Sequence, residues 1–248
     1  MDFEKLTPVV IPALFLGFIF IEWLRPARAL PREPWWRLRG VLAFAVTGAF
    51  SAGMPLIYAD LLRSHRVLQL ERIGPVGATA LAVLAGELVG YWWHRFRHTR
   101  WLWRAAHQMH HSAERIDVFG LAYFHPLDIV LSNLVAGLVL TGVLGLGGQA
   151  AAFAGLFTVL CGIFQHANIE TPRWLGYLVQ RPESHSVHHA RGRHTQNYAN
   201  LPILDILFGT FANPHSFEAE AGFYPGSSLR IADMLIGRDV SAPRRRAA

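Results

Sequence analysis

Three short stretches of this chain hold eight of its 13 histidines, and each stretch has helical spacing. They are His94-Arg-Phe-Arg-His98, His107-Gln-Met-His110-His111 and His185-Ser-Val-His188-His189. Residues three and four apart share a face of a helix, so each stretch can aim two or three imidazoles at a common centre. Neutral imidazole is the commonest nitrogen ligand of iron, zinc, copper and nickel. A metal of structural type takes about four ligands. Eight histidines overshoot that, and the pattern asks for two metals. One H-x3-H pair alone is often accidental; two H-x2-H-H stretches with an H-x3-H, all in hydrophobic sequence, are not. Their separation also rules out an affinity-type histidine tract. The isolated His65 and His215 read as ordinary surface residues, and His194 as a surface or interfacial one rather than a ligand.

The elements that must position these histidines are membrane helices. Hydrophobic residues make up 52% of the 248-residue chain and charged residues only 16%, with a mean hydropathy of +0.25. Apolar runs extend over Val9–Leu24, Val41–Leu62 and Gly74–Trp93, the last with Glu87 inside it. A fourth run, Ile129–Gln165, is too long for one span of ~20 residues and breaks at Gly145-Leu-Gly-Gly148 into a helical hairpin. The expected fold is therefore all-α and polytopic, with four to five transmembrane helices, one of them open to a re-entrant reading. Ala27-Arg28-Ala29 faintly resembles a signal-peptidase site, but Asp2 and Glu4 precede the first run and arginines follow it, so it reads as a retained span.

Arginine sets the orientation. The net charge of +6 is carried almost wholly by arginine, Lys5 being the only lysine. Arg25, Arg28, Arg32, Arg37 and Arg39 follow the first run, and Arg95, Arg97, Arg100 and Arg104 cluster at the end of the third. The loop after the second run is shorter and less basic, although its Arg63, Arg66 and Arg72 argue the other way. Placing basic loops inside puts the N-terminus outside, and all three histidine clusters and the Arg244-Arg245-Arg246 tail on the cytoplasmic side. In a prokaryote that membrane would be the inner one. Arginines at the ends of apolar runs suit lipid headgroups rather than nucleic acid. The single Cys161 excludes an internal disulfide and a cysteine-type zinc site.

Tyr91-Trp92-Trp93 and Trp101-Leu-Trp103 bracket the first cluster, as expected where a helix crosses the headgroup layer. The membrane hairpin lies between the second and third clusters, so the metal site closes only after that excursion. The centre then sits at the bilayer surface, open to a lipid-soluble substrate. Asp117, Asp128, Glu170 and Glu183 are candidates to orient imidazole N–H groups, though for any one of them a solvated loop carboxylate is the commoner outcome. Glu87 inside a span should pair with an arginine or a ligand histidine.

From Glu87 to Phe211 the chain resembles the fatty acid hydroxylase superfamily, which includes sterol desaturases and C4-sterol methyl oxidases. His94-x3-His98, His107-Gln-Met-His110-His111-Ser112 and His185-x2-His188-His189 match its three histidine boxes. Phe124-His125-Pro126-Leu127-Asp128 and Gln165-His166-Ala167-Asn168 resemble two further elements, and Asn197-Tyr198-Ala199 and Leu204 to Thr210 the closing signatures. Ala199, Leu204 and Ile206 replace the usual glycine, tryptophan and arginine, which bears on the substrate subgroup and removes no ligand. The resemblance implies a non-haem centre of two iron ions with O2 as co-substrate. It would oxidise an unactivated C–H bond of a lipid to a hydroxyl or a double bond. The metal ligands would be His94, His98, His107, His110, His111, His185, His188 and His189, with His166 as a ninth. His125, Asn197, Tyr198 and Asp205 are the further catalytic candidates, the last three able to fix the third box from behind.

On this reading residues 1–86 are membrane-spanning helices, 87–211 the catalytic domain with its hairpin, and 212–248 a tail without clear chemistry. No nicotinamide, flavin or haem motif is present, so a separate one-electron donor of ferredoxin type is the expected partner, docking on the arginine-rich face. Fatty acyl, sterol-like, hopanoid and carotenoid lipids all remain open as substrates. Two rivals stand. A zinc-dependent membrane hydrolase would need a carboxylate base, yet Arg95 occupies the place of Glu in H-E-x-x-H. A metal-binding transporter or sensor would place its ligands within the spans.

Overall fold

Backbone polar groups cannot reach water inside a bilayer, so a chain with long apolar runs satisfies them within helices. The computed structural model, which describes residues 3–243, follows that rule. In order it forms α1 (Phe3–Leu24), α2 (Trp36–Ser64) and α3 (Pro75–Arg97). Next come α4 (Arg100–Leu102), a π-helical turn (Trp103–His107) and α5 (Gln108–His111). Then follow α6 (Pro126–Gly137), extended by a π-helical stretch (Leu138–Val143), and α7 (Gly148–His166), with the short α8 (Pro182–His188), α9 (Pro202–Leu207) and α10 (Ile231–Leu235). Five of these segments, α1, α2, α3, α6 with its extension and α7, are long and apolar enough to cross a membrane. The protein is an all-helical, multi-pass integral membrane protein. α1 and α2 leave most of their apolar side chains exposed, among them Val9, Leu16, Phe20, Leu56, Ile57 and Leu61. In water so large an apolar surface would drive association; in lipid it is the solvated face.

α7 packs between α1 and α3, and α2 lies along α6. The turn between α6 and α7 carries no charge and docks on the α2–α3 loop, whose Val67, Leu68 and Leu70 amides donate to Gly142, Val143 and Leu144 carbonyls. Gly145 has φ +62° there, and a side chain at that position would collide with the Leu68 carbonyl. All of this lies at one end of the bundle. The C-terminal ends of α1, α3 and α7 meet at the other, together with every histidine box. Trp23, Trp35, Trp101 and Trp174 are exposed around that end, as expected for a headgroup-level aromatic belt. Two of the three arginines that argued against a simple orientation are matched locally: Arg63 pairs with Asp60, and Arg66 with Glu71 at 2.8 Å. The Arg244-Arg245-Arg246 stretch lies outside the described residues.

The segment after Phe211 is not a detached tail. Ala221 bridges Ala190 directly after the third box, Arg181 donates to the Pro214 carbonyl, and Met234 and Val240 enter a core with Trp36, Met109 and Tyr123. Gln108 donates to the Arg238 carbonyl and accepts from Val240 N, which ties the second box to the chain's end.

Candidate metal centre

Nine histidines converge at the histidine end of the bundle in two groups, and within each group one ring nitrogen per residue lies within 4.8 Å of those of the others. One group is His94, His98, His107, His111 and His188; the other is His110, His166, His185 and His189. The groups adjoin, since His111 of the first stacks on His189 of the second with ring centroids 4.3 Å apart. Neither contains a carboxylate.

The boxes do not each serve one centre, as the spacing alone suggested. At ~100° per residue, position i+4 lies about 40° from i in one direction around a helix and i+3 about 60° in the other. His107 and His111 therefore enter the first group while His110 points into the second. The third box does the reverse, with His185 and His189 in the second group and His188 in the first. Each H-x2-H-H box thus straddles both groups. The π-helical turn at Trp103–His107 inserts its extra residue immediately before this split, as π-bulges often do at functional sites.

Hydrogen bonds on the outer ring nitrogens decide which tautomers are present. His94 Nδ1 is 2.8 Å from the Tyr198 carbonyl, His188 Nδ1 2.7 Å from the Gln196 carbonyl, and His166 Nδ1 2.8 Å from the Gly162 carbonyl. A carbonyl only accepts, so Nδ1 carries the proton and Nε2 presents a bare lone pair. His107 reaches the same state through Asp128 Oδ2 at 2.8 Å. The inward nitrogens then face one another: His107 Nε2 lies 3.2 Å from His111 Nε2, and His185 Nε2 lies 3.3 Å and 3.1 Å from His166 and His189 Nε2. Nε2 of His94, His98 and His188 is buried without a hydrogen-bond partner. Buried lone pairs without donors are costly. Two cations among them would remove that cost, and an all-imidazole donor set suits iron, zinc or copper. The residues fit a pair of metal ions.

Electrostatics agree. Burial first, and neighbouring imidazoles second, hold His98, His110, His111, His185 and His189 well below the usual histidine range. Burial and Arg97 bring His107 down to about 4 against the pull of Asp128, and burial brings His194 down to about 4. Neutral imidazole is the ligating form. The sign for stability follows. A group whose native value lies below its unfolded value of ~6.5 binds more protons unfolded, so acid favours unfolding. The metal-free protein in detergent should melt at a constant temperature above pH 6.5, and at progressively lower temperatures as pH falls from 6.5 towards 4. A flat melting curve down to pH 5 would contradict this assignment.

The further candidates take different places. His125 stands apart from both groups: its Nδ1 accepts from Leu127 N to cap α6, and its Nε2 faces the Leu235 carbonyl at 3.3 Å. Both ring nitrogens are committed to holding α6 against α10. Asn197 donates to the Ser184 and Ala212 carbonyls and accepts from Ala212 N, clamping the loop behind α8. Tyr198 covers the first group, its ring centroid 5.2–5.4 Å from those of His94, His98 and His188. Asp205 is fully buried and accepts from Tyr198 N, Ala199 N and the Thr210 hydroxyl.

Of the carboxylates, Asp128 touches a histidine and also pairs with Arg97 at 3.0 Å. Asp117 instead accepts from Trp36 and Arg115, Glu183 from Thr171, and Glu170 is exposed. Glu87 pairs with neither arginine nor histidine; it accepts from Asn200 Nδ2 and Leu201 N. The amide groups of Asn200 and Leu201 solvate it because α3 packs where the loop after the third box returns. One contributor escaped the sequence reading. Glu22, a carboxylate inside the first apolar run, accepts from Val118 N and Asn168 N and so joins α1 to segments beside the second box and His166. Its position in a span was the available signal. His194, read from the sequence as surface or interfacial rather than a ligand, lies outside both groups but against His111.

The profile described as "Fatty acid hydroxylase" matches residues 79–210, just over half of the chain. Among curated proteins, the chain is 27% identical over 202 residues to the rice (Oryza sativa subsp. indica) "Very-long-chain aldehyde decarbonylase GL1-9", covering 78% of this chain and 76% of that one. It is 26% identical over 183 residues to "Sphinganine C4-monooxygenase 1" of Arabidopsis thaliana, covering 72% and 66%. It is 26% identical over 220 residues to the human "Alkylglycerol monooxygenase", covering 84% of this chain but 47% of that protein. No solved structure matches the chain. With the profile spanning all three histidine boxes and residues through Thr210, the chain belongs to the fatty acid hydroxylase family.

Proposed function

We propose that this protein is a membrane-bound di-iron oxidoreductase that uses O2 and external electrons to hydroxylate a lipid with a long alkyl chain. Desaturation is the neighbouring outcome. The observation that carries the reading is the pair of adjoining all-histidine groups, whose inward Nε2 atoms face one another or, in His94, His98 and His188, no partner. Two irons held there would supply O2 activation and the oxidation of an unactivated C–H bond. The chain's own residues do the rest. Tyr198 O, Gln196 O, Gly162 O and Asp128 orient four imidazoles, and close packing of the rings keeps bulk water from the site. The exposed apolar helices keep the site at lipid level. Two relatives are monooxygenases by name, which supports insertion of oxygen over desaturation. The absence of a carboxylate from both groups disfavours a hydrolytic zinc site, which needs a base. The position of the histidines at the span ends, not within the spans, disfavours a transporter.

The electron donor would be a separate acidic protein of ferredoxin type, meeting the arginine-rich histidine end. We place that end in the cytoplasm on the arginine bias of its loops. In intact cells a membrane-impermeant thiol reagent should label Val67→Cys but reach Ser216→Cys only after permeabilisation; the reverse pattern would invert the topology. The test of the function itself is comparative lipid mass spectrometry with and without His188, argued in the Discussion.

A further inference from the structure

The five-histidine group draws its outer contacts from few sources. His107 takes Asp128. Three of the others take theirs from one short stretch after the third box: His188 from the Gln196 carbonyl, His94 from the Tyr198 carbonyl, and His111 from His194. His194, Gln196 and Asn197 all have positive φ, at 47°, 67° and 50°. Non-glycine residues occupy that region at a cost, and such strain persists only where surrounding contacts over-determine it. Here those contacts are the clamp of Asn197 on Ser184 and Ala212 and the wedging of the His194 ring beside Trp103 and Phe223, at 5.4 and 5.1 Å between centroids.

His111 and His194 meet Nδ1 to Nδ1 at 3.2 Å, and two facing ring nitrogens share one proton. In the opposite direction His111 Nε2 faces the lone pair of His107 Nε2 at 3.2 Å. Without a metal, His111 can therefore hold its proton on either side. If it sits on Nε2, His111 donates to His107 and is useless as a ligand in that direction. If it sits on Nδ1, His111 donates to His194 and its Nε2 lone pair joins those of His94, His107 and His188. We propose that His194 is a positioning residue that fixes His111 in its ligating tautomer, acting on the five-histidine group and not on the four-histidine one. Nothing comparable stands behind His110, His185 or His189, whose Nδ1 atoms have no hydrogen-bond partner among the described residues.

The inference rests on the reading of these groups as metal sites, and the test separates the two. Full-length protein in detergent is stripped and titrated with Co2+ under anaerobic conditions, with metal per chain measured by mass spectrometry and binding followed by cobalt visible absorption. Wild type should take two ions. His194→Ala should bind one as wild type does and the other about 10–100-fold more weakly, the range for loss of a residue that orients a ligand. His194→Gln should restore the second ion, because its Oε1 can accept from His111 Nδ1–H. Normal binding of both ions by His194→Ala, with an unchanged spectrum, overturns the inference alone, as does a Gln variant no better than Ala. A wild-type chain that takes no metal overturns the metal centre and this inference together. Should the variants fail to fold, the cobalt-loaded wild-type structure decides: separation of the two Nδ1 atoms beyond hydrogen-bonding distance rejects the proposal.

Discussion

Cells expressing His188→Ala should contain none of the oxidised lipid that the wild-type protein makes, a loss of more than about a hundredfold. His188 is the only contribution of α8 to the five-histidine group; its neighbours His185 and His189 belong to the other. Its Nδ1 is fixed by the Gln196 carbonyl and its Nε2 is one of the unpartnered inward lone pairs. Truncation to alanine therefore removes a pre-oriented donor and leaves a buried gap among four imidazoles, in a group that holds no carboxylate to substitute. Because the groups adjoin through His111 and His189, chemistry that needs both metals together fails when either is lost, so the effect is all-or-none rather than graded. His65→Ala is the control: that residue is exposed at the opposite end, bonded only to its own helix, and its removal should leave the lipids unchanged. A wild-type lipid heavier by one oxygen would establish hydroxylation, and one lighter by two hydrogens desaturation. Identical lipids in all strains, with a donor confirmed present, would favour metal handling without oxygen chemistry.

What could be read from the sequence follows from the range of each interaction. The spans are local: ~20 apolar residues predict a helix whatever surrounds them, and the break at Gly145 needed only its glycines. The identities of the clustered histidines are local as well, since i, i+3 and i+4 spacing declares a shared helix. Their allocation is not. That His107 and His111 part from His110 depends on two centres lying on either side of α5, and on a π-helical turn that no periodicity announces. Contacts across long sequence separations were hidden for the same reason. Glu87 finds Asn200 and Leu201, Glu22 finds Asn168, and His194 finds His111. A carboxylate in an apolar run shows that a partner must exist, but not which one. His125 adds a contact of the same kind, since its imidazole accepts from Leu127 N to cap α6 and faces the Leu235 carbonyl, neither of which its motif announced. The segment beyond Phe211 read as featureless because its work is done by backbone groups, such as the Arg238 and Leu235 carbonyls and Val240 N, which composition cannot reveal.

Replacing Asp205 with alanine should cost the protein both stability and metal, although the residue touches no histidine. Its carboxylate is fully buried and accepts from Tyr198 N and Ala199 N, each through a different oxygen, and from the Thr210 hydroxyl. Alanine leaves two backbone amides without partners in a dry site, at about 1–3 kcal/mol for each group left unsatisfied, and the Thr210 hydroxyl with Tyr91 alone. A total loss on the order of 3–5 kcal/mol is a large fraction of the stability of an ordinary domain. The consequence reaches the metals through one bond, since the Tyr198 carbonyl orients His94. That carbonyl shares its peptide plane with Ala199 N, which donates to Asp205 Oδ2, while Tyr198 N on the preceding side donates to Oδ1. Asparagine tests this path. With Oδ1 kept towards Tyr198 N and Thr210, only Ala199 N loses its acceptor, so Asp205→Asn should retain more metal than Asp205→Ala and melt between it and wild type. Melting temperature and iron per chain, measured on the same detergent-purified samples, should fall together in the order wild type, Asn, Ala. An alanine variant with a full complement of iron would show that His94 keeps its orientation without Asp205. A variant that melts early yet holds its iron would separate the stability of the loop from the geometry of the centre.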